Sequence, residues 1–178
     1  MHGKSYKFFC YINKFDTNFI SKLSNNISLI YRNYDEKNDY GVITQIKKQC
    51  RKQKIKFYLS NNIKLALKLN LDGVYIPSFN KDIRHNSYQL KKKFTLLGSA
   101  HNLKEIRQKE TQNVKCIFIS PIFLTKDNKD GLGLYKFTNL AKYTKKKVAC
   151  LGGISIKNIK IISMLKVDAI AGISFFND

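Results

Sequence analysis

The chain alternates short apolar runs with longer stretches in which apolar positions recur every three or four residues. The runs are rich in β-branched and aromatic residues. They predict strands at Lys7–Asn13, Ile27–Arg32, Lys56–Ser60, Gly73–Pro77, Phe94–Ser99, Cys116–Ser120, Val148–Leu151 and Ala169–Ser174. Helical spacing predicts helices over Thr17–Asn25, Val42–Lys52, Asn62–Leu69, Asn86–Lys92, Leu103–Glu110, Tyr135–Thr144 and Ile156–Leu165. Ile63, Ala66 and Leu67 share one face, for example, as do Ile159, Ile162 and either Met164 or Leu165.

Strands separated by single helices imply right-handed parallel crossovers. Eight of them point to an α/β fold closed as a (β/α)8 TIM barrel rather than to an open sheet. No linker, repeat or low-complexity stretch interrupts the series, so residues 1–178 read as one domain. Such barrels usually take about 250 residues, and this chain has 178. The pattern runs out four residues after the eighth strand, so the last helix is expected to be missing or truncated. A homodimer would cover the apolar strip this leaves.

Composition narrows the function classes. No apolar run approaches the roughly 20 residues of a spanning helix. Phe8–Ile12 is too short for the apolar region of a signal peptide. The expectation is a soluble, cytoplasmic protein without membrane contact. Cys10, Cys50, Cys116 and Cys150 lack metal-ligand spacing. Three of the four fall in strand-like runs, which suits buried free thiols. The net charge of +21 raises the question of nucleic acid. Only four of the 33 basic residues are Arg, however, and the wealth of Lys, Asn, Ile, Tyr and Phe is what AT-rich codons produce. Arg is the better reader of phosphates and base edges, so nucleic-acid binding ranks last.

The chemistry concentrates at strand ends. Leu151-Gly152-Gly153-Ile154-Ser155 closes the seventh strand and Gly172-Ile173-Ser174 the eighth. Glycines there let backbone N–H groups approach a ligand, and in barrels the loops after these two strands commonly hold phosphate. A helix starting after Gly153 would add a favourable dipole. Alternatively, the paired glycines merely make the strand-to-helix turn.

Five motifs in order carry a resemblance: Asp72-Gly73-Val74-Tyr75-Ile76, Ser99-Ala100-His101, Ser120-Pro121-Ile122-Phe123-Leu124-Thr125, Gly131-Leu132-Gly133-Leu134, and Leu151-Gly152-Gly153-Ile154 with Asn158. By these the chain resembles the thiamine phosphate synthase and TenI family, in good register from Ser60 to Phe176 and more loosely before. The resemblance implies an eight-stranded barrel of thiamine biosynthesis. Its synthases join a hydroxymethylpyrimidine diphosphate to a thiazole phosphate. Diphosphate leaves with help from Mg2+ and cations, and the thiazole nitrogen captures the pyrimidine cation. It also implies roles. Arg32 would hold the diphosphate, and Ser99 and Thr125 would supply hydroxyls near diphosphate and thiazole. Gly153, Ile173 and Ser174 would cradle the thiazole phosphate, to which the strand-end glycines add Gly152 and Gly172; Lys126 and Lys129, beside position 128, are further candidates for the phosphate. Other roles stay open: Arg32 as an ion-pair partner of Asp35, Ser99 as a helix cap, and His101 as a loop residue satisfied by a local hydrogen bond.

The departures are specific. The residues flanking the family's arginine are here Ile30 and Tyr34 instead of Gln and Lys. The metal-binding Asn-Asp pair falls on Ser60 and Asn61, and the second metal aspartate on Asn80, with Asp82 two residues on. The lysine near the thiazole threonine falls on Asn128, and the TenI catalytic histidine on Pro121. Mg2+ is usually held through one or two carboxylates, so amides at both places count against it. The expected picture is a phosphate cradle kept and a metal site eroded. The leading expectation is a divergent synthase-like barrel taking a small phosphorylated heterocycle, a transferase if active. The alternatives are a phosphate-ester-binding or regulatory protein without catalysis and, last, a basic nucleic-acid binder.

Overall fold

The structure, a computed structural model, describes residues 6–34, 39–125 and 130–173. Eight parallel strands close into a barrel in sequence order: β1 (Lys7–Ile12), β2 (Ile27–Tyr31), β3 (Lys56–Ser60), β4 (Gly73–Ile76), β5 (Thr95–Ala100), β6 (Cys116–Ile119), β7 (Lys147–Leu151) and β8 (Ala169–Gly172). Closure comes from β1 pairing with β8, with Lys7 opposite Ala169 and Cys10 opposite Gly172. The helices are α1 (Thr17–Lys22), α2 (Tyr40–Lys52), α3 (Ile63–Lys68), α4 (Leu103–Thr111), α5 (Gly133–Lys142) and α6 (Ile159–Ser163).

The strands are continuous apolar runs because both of their faces are covered. One parity fills the barrel and the other meets the helices. Phe118 is central to the interior, its ring edge-on to Phe9 at 5.0 Å, Tyr75 at 5.6 Å and Tyr11 at 6.3 Å. Against these rings β7 and β8 bring the small residues Ala149, Ala169 and Ala171, with Leu151 partly buried above them, so large and small residues interdigitate across the barrel. The other parity, including Cys10, Leu29, Phe57, Ile117 and Cys150, packs under the helices. All four cysteines are buried and free, and burial pushes each thiol up to about 12.

Local chemistry fixes the helix starts. Asp16, Asp39, Asn62 and Asn102 each accept backbone N–H groups of the first turn, at 2.7–3.3 Å. At the opposite end of the barrel two aspartates play equivalent roles. Asp72, before β4, accepts the Phe57 N–H at 2.9 Å, and Asp168, before β8, accepts the Val148 N–H at 2.9 Å.

The architecture expected from the pattern is present, with three corrections. No α-helix spans Asn86–Lys92; a single 3-10 turn covers Arg84–Ser87 instead. Tyr88 and Leu90 stand two apart and make no helical stripe, while the Asn86 side chain is drawn off to the Thr111 carbonyl at 2.9 Å. The first helix ends at Lys22 rather than Asn25. The last described helix has five residues, shorter than the expected Ile156–Leu165. A helix after β8 would fall on residues outside those described. No helix among the described residues is long and apolar enough to cross a membrane.

Candidate functional site

The loops after the strands converge on the C-terminal mouth of the barrel. Arg32 follows β2, and its backbone N–H is held by the Ile12 carbonyl at 2.8 Å. Its guanidinium lies 5.1 Å from the centroid of the Tyr11 ring, a cation–π contact that carries the charge over the barrel axis. Beneath it the Tyr11 hydroxyl is buried and finds no partner at hydrogen-bonding geometry, and the Tyr75 phenol beside it is the group that acts on it. Burial above all holds both phenols well protonated, and for Tyr75 the neighbouring Ser99 opposes that effect. A cation above an unsatisfied buried hydroxyl is a ready place for a ligand oxygen.

Ser99 is therefore a barrel-interior hydroxyl, buried at the end of β5, and not a helix cap. Asn102 caps α4 instead. His101 is satisfied locally: its Nδ1 donates to the Ser120 carbonyl at 2.7 Å. On the rim, the Tyr34 hydroxyl and Ser60 Oγ are 3.0 Å apart, and the Tyr34 ring stands edge-on to Phe79 at 5.5 Å. Tyr34 thus puts an aromatic wall where the family's lysine is implied. Thr125 stands half-buried in the loop after β6.

Asn61 and Asn80 meet: the Asn80 side-chain N–H donates to Asn61 Oδ1 at 2.7 Å. Asn61 occupies a left-handed backbone conformation, φ 60°, which Asn tolerates well, with its N–H on the Tyr75 carbonyl at 2.8 Å. The Asn80 loop is fastened from behind by α4. Lys109, fully buried, donates to the carbonyls of Pro77 at 2.7 Å and Asn80 at 2.9 Å and to Gln112 Oε1 at 2.7 Å. Gln112 in turn donates to the Asn80 and Asp82 carbonyls. Burial pushes the Lys109 ammonium down to about 8.

These residues do not fit Mg2+. The two amides spend themselves on each other. Asp82, the candidate replacement carboxylate, is instead clamped by Arg84, whose Nε and Nη2 reach it at 2.6–3.0 Å. That pairing holds its carboxyl down at about 2. A neighbouring guanidinium thus engages Asp82. Among the described residues no three His, Cys, Asp or Glu side chains group as a metal site.

The glycines after β7 have a structural reason of their own. Gly152 and Gly153 sit at φ 95° and 67°. A Cβ on Gly152 would lie 2.6 Å from Pro121, and one on Gly153 would strike the Leu124 carbonyl and lie 2.8 Å from Phe123. Close approach of the loop after β6 therefore demands both, independently of any ligand. That loop is laced on by Ile122 N–H to the Leu151 carbonyl at 2.9 Å and Phe123 N–H to the Gly152 carbonyl at 3.1 Å. The expected helix N-terminus is only a turn, in which Asn158 accepts the Ser155 N–H and donates to the Gly153 carbonyl. Gly172 ends β8 beside these glycines, and Ile173 follows, half-exposed. Ser174, Lys126 and Lys129, and with them Asp35 and Asn128, lie outside the described residues.

Sequence reasoning missed Tyr11, Tyr75 and the Lys109–Gln112 pair. A uniformly apolar strand does not reveal which parity faces inward, and a lysine on a polar helix gives no sign of burial.

A thiamine monophosphate synthase family model matches residues 23–176. Thiamine-phosphate synthase of Fusobacterium nucleatum is 23% identical over 150 residues, covering 83% of this chain and 73% of that protein. Thiamine-phosphate synthase 1 of Streptococcus pneumoniae is 27% identical over 135 residues, 73% of this chain and 64% of the relative. The chain spans only 44% of the Prochlorococcus marinus thiamine-phosphate synthase, at 28% identity. In structure, the thiamine phosphate pyrophosphorylase from Pyrococcus furiosus superposes with a TM-score of 0.75 at 18% identity, over 97% of this chain and 87% of that one. FabK from Thermotoga maritima reaches the same TM-score at 11% identity over 96% of this chain and 58% of that one, which speaks for the shared barrel alone. The match along most of its length, on a closed eight-stranded barrel, establishes that the chain belongs to the thiamine monophosphate synthase family.

Proposed function

We propose that the C-terminal mouth binds a small phosphorylated heterocycle of the thiazole phosphate type without a resident Mg2+. The Asn61–Asn80 hydrogen bond carries this reading, because it ties up both amides that stand where the family's carboxylates are implied. The phosphate would lie against the loops after β7 and β8, at Gly152, Gly153, Gly172 and Ile173, with Ser174, Lys126 and Lys129 as further candidates. The ring would sit under Tyr34 and Phe79, and Thr125 would flank it.

For the transfer reaction that the resemblance implies, the bond from the pyrimidine methylene to the diphosphate oxygen must break as the thiazole nitrogen attacks. Arg32, held over Tyr11, is the group that would meet the departing diphosphate, with the buried hydroxyls of Tyr11, Tyr75 and Ser99 below it. A lone guanidinium stabilises this charge less than a fixed divalent ion would. The synthase reaction is therefore slow or absent, and the site acts chiefly in binding.

Calorimetric titration with thiazole phosphate tests the reading. Binding is expected in the presence of a chelator and unchanged by Mg2+. Binding that requires Mg2+ would overturn it.

A further inference from the structure

A cavity of about 670 Å3 lies at the opposite, N-terminal mouth of the barrel. That is the size range of small-molecule sites, roughly 300–1,000 Å3. Its floor is the underside of the barrel interior: Phe9, Tyr58, Leu97 and Ala169, all buried, with the Phe9 and Tyr58 rings edge-on at 5.9 Å. Its rim is cationic around the starts of β1, β3, β6 and β7, with Asn25, Asn26 and Thr95 between them. Lys7 and Lys147 begin β1 and β7, Lys54 and Lys56 flank the start of β3, and Lys115 precedes β6. Lys145 and Lys146 complete the ring before β7. Against these seven lysines the lining holds one carboxylate, Asp168, and that one is engaged by the Val148 N–H. Glu110 lies near Lys146 but is committed to Arg107 at 2.7 Å and Thr144 at 2.7 Å.

Seven like charges around one hollow repel each other, and the single lining carboxylate, Asp168, offsets only part of that charge. If this end served only to close the barrel, an apolar plug or paired charges would do so at lower cost. We propose that the N-terminal mouth is a second ligand site, for an organic polyphosphate with an aromatic or apolar body, of the nucleoside triphosphate kind. The body would enter the hollow against Phe9, Tyr58 and Leu97, and the phosphates would spread over the lysine rim. The concave shape and the closed aromatic floor favour a small molecule. A nucleic acid strand would call for an extended track with stacking platforms, and the rim contains no Arg. This site is distinct from the C-terminal mouth and does not rest on the function proposed there.

The test uses the unmodified chain, ATP and inorganic tripolyphosphate, with calorimetry at about 150 mM salt so that general attraction to a basic protein is screened. ATP is expected to bind more tightly than tripolyphosphate despite its smaller charge, because only ATP offers a body to the floor. Reversing Lys54, Lys56 and Lys115 to Glu together is expected to weaken ATP by about tenfold or more. A control variant with Lys48→Glu, Lys104→Glu and Lys160→Glu, all on helix surfaces, carries the same change in net charge and is expected to bind ATP nearly as the parent does. Thiazole phosphate binding at the other mouth should survive in both variants. The proposal fails if ATP does not bind, if tripolyphosphate binds as well as ATP, or if both variants lose ATP equally. It fails too if a short duplex or single strand displaces ATP at lower concentration than ATP itself does.

Discussion

The side-chain N–H of Asn80 donates to the side-chain oxygen of Asn61 at 2.7 Å, joining the loops after β4 and β3 across the C-terminal mouth. Asn61 and Asn80, at the two positions where the resemblance implies metal carboxylates, are each other's partners, and the two loops meet at their tips.

That contact makes a carboxylate pair at the two positions testable. Asn61→Asp combined with Asn80→Asp places two carboxylates within a few ångströms, where each raises the other's need for a cation. Isothermal titration should then detect Mg2+ binding in the double variant and little or none in the parent. Equal Mg2+ affinity in both proteins would mean that other residues hold the ion.

The loop carrying Asn80 depends on a buried cation. Lys109→Met keeps the apolar stem but leaves the Pro77 and Asn80 carbonyls and Gln112 Oε1 without their donor. The cost should be about 3 kcal/mol in urea unfolding. Unchanged stability would show that water replaces the ammonium at no loss.

The same residue predicts a pH dependence. The Lys109 ammonium is pushed from 10.5 down to about 8 in the folded chain. Between those values the unfolded chain holds the proton and the native state has released it, so stability rises with pH there. Below about 8 both states are protonated and the penalty of burying the charge is present in full. The stability of the parent relative to Lys109→Met should therefore increase from pH 8 towards 10, by at most about 1.4 kcal/mol per pH unit. A flat difference over this window would mean that the three acceptors keep the group protonated throughout.

Gly153 and Gly133 separate crowding from backbone strain. Both have φ near 67°, but a Cβ on Gly133 meets nothing within 4 Å, whereas one on Gly153 strikes the Leu124 carbonyl. Gly133→Ala should cost about 1 kcal/mol and Gly153→Ala about 2–3 kcal/mol. Similar costs would mean that the loop after β6 simply moves aside.

Much of this was legible in the sequence, and for physical reasons. Burial on both faces wrote each strand as an unbroken apolar run, whereas the caps Asp16, Asn62 and Asn102 go unread and Ser99 stands open as the cap of α4 instead. The segment from Asn86 to Lys92 misled, because its tertiary fastening to Thr111 outweighs local spacing. The site was legible by position more than by role. Arg32, Ser99 and Gly153 fall at strand ends on the C-terminal mouth, while contacts with Leu124 and Phe123 account for the glycine and Asp82 is spent on Arg84. Contacts between loops distant in sequence, such as Asn61 with Asn80 or Lys109 with Pro77, leave no periodic signal along the chain.

Thiamine phosphate formation by the unmodified protein, with Mg2+ and with a chelator, tests the central claim most directly. A mouth that binds a phosphorylated heterocycle without a resident metal predicts a rate close to background and equal in the two conditions. Robust, Mg2+-dependent turnover would contradict it, and would mean that the Asn61–Asn80 pair opens to admit the ion.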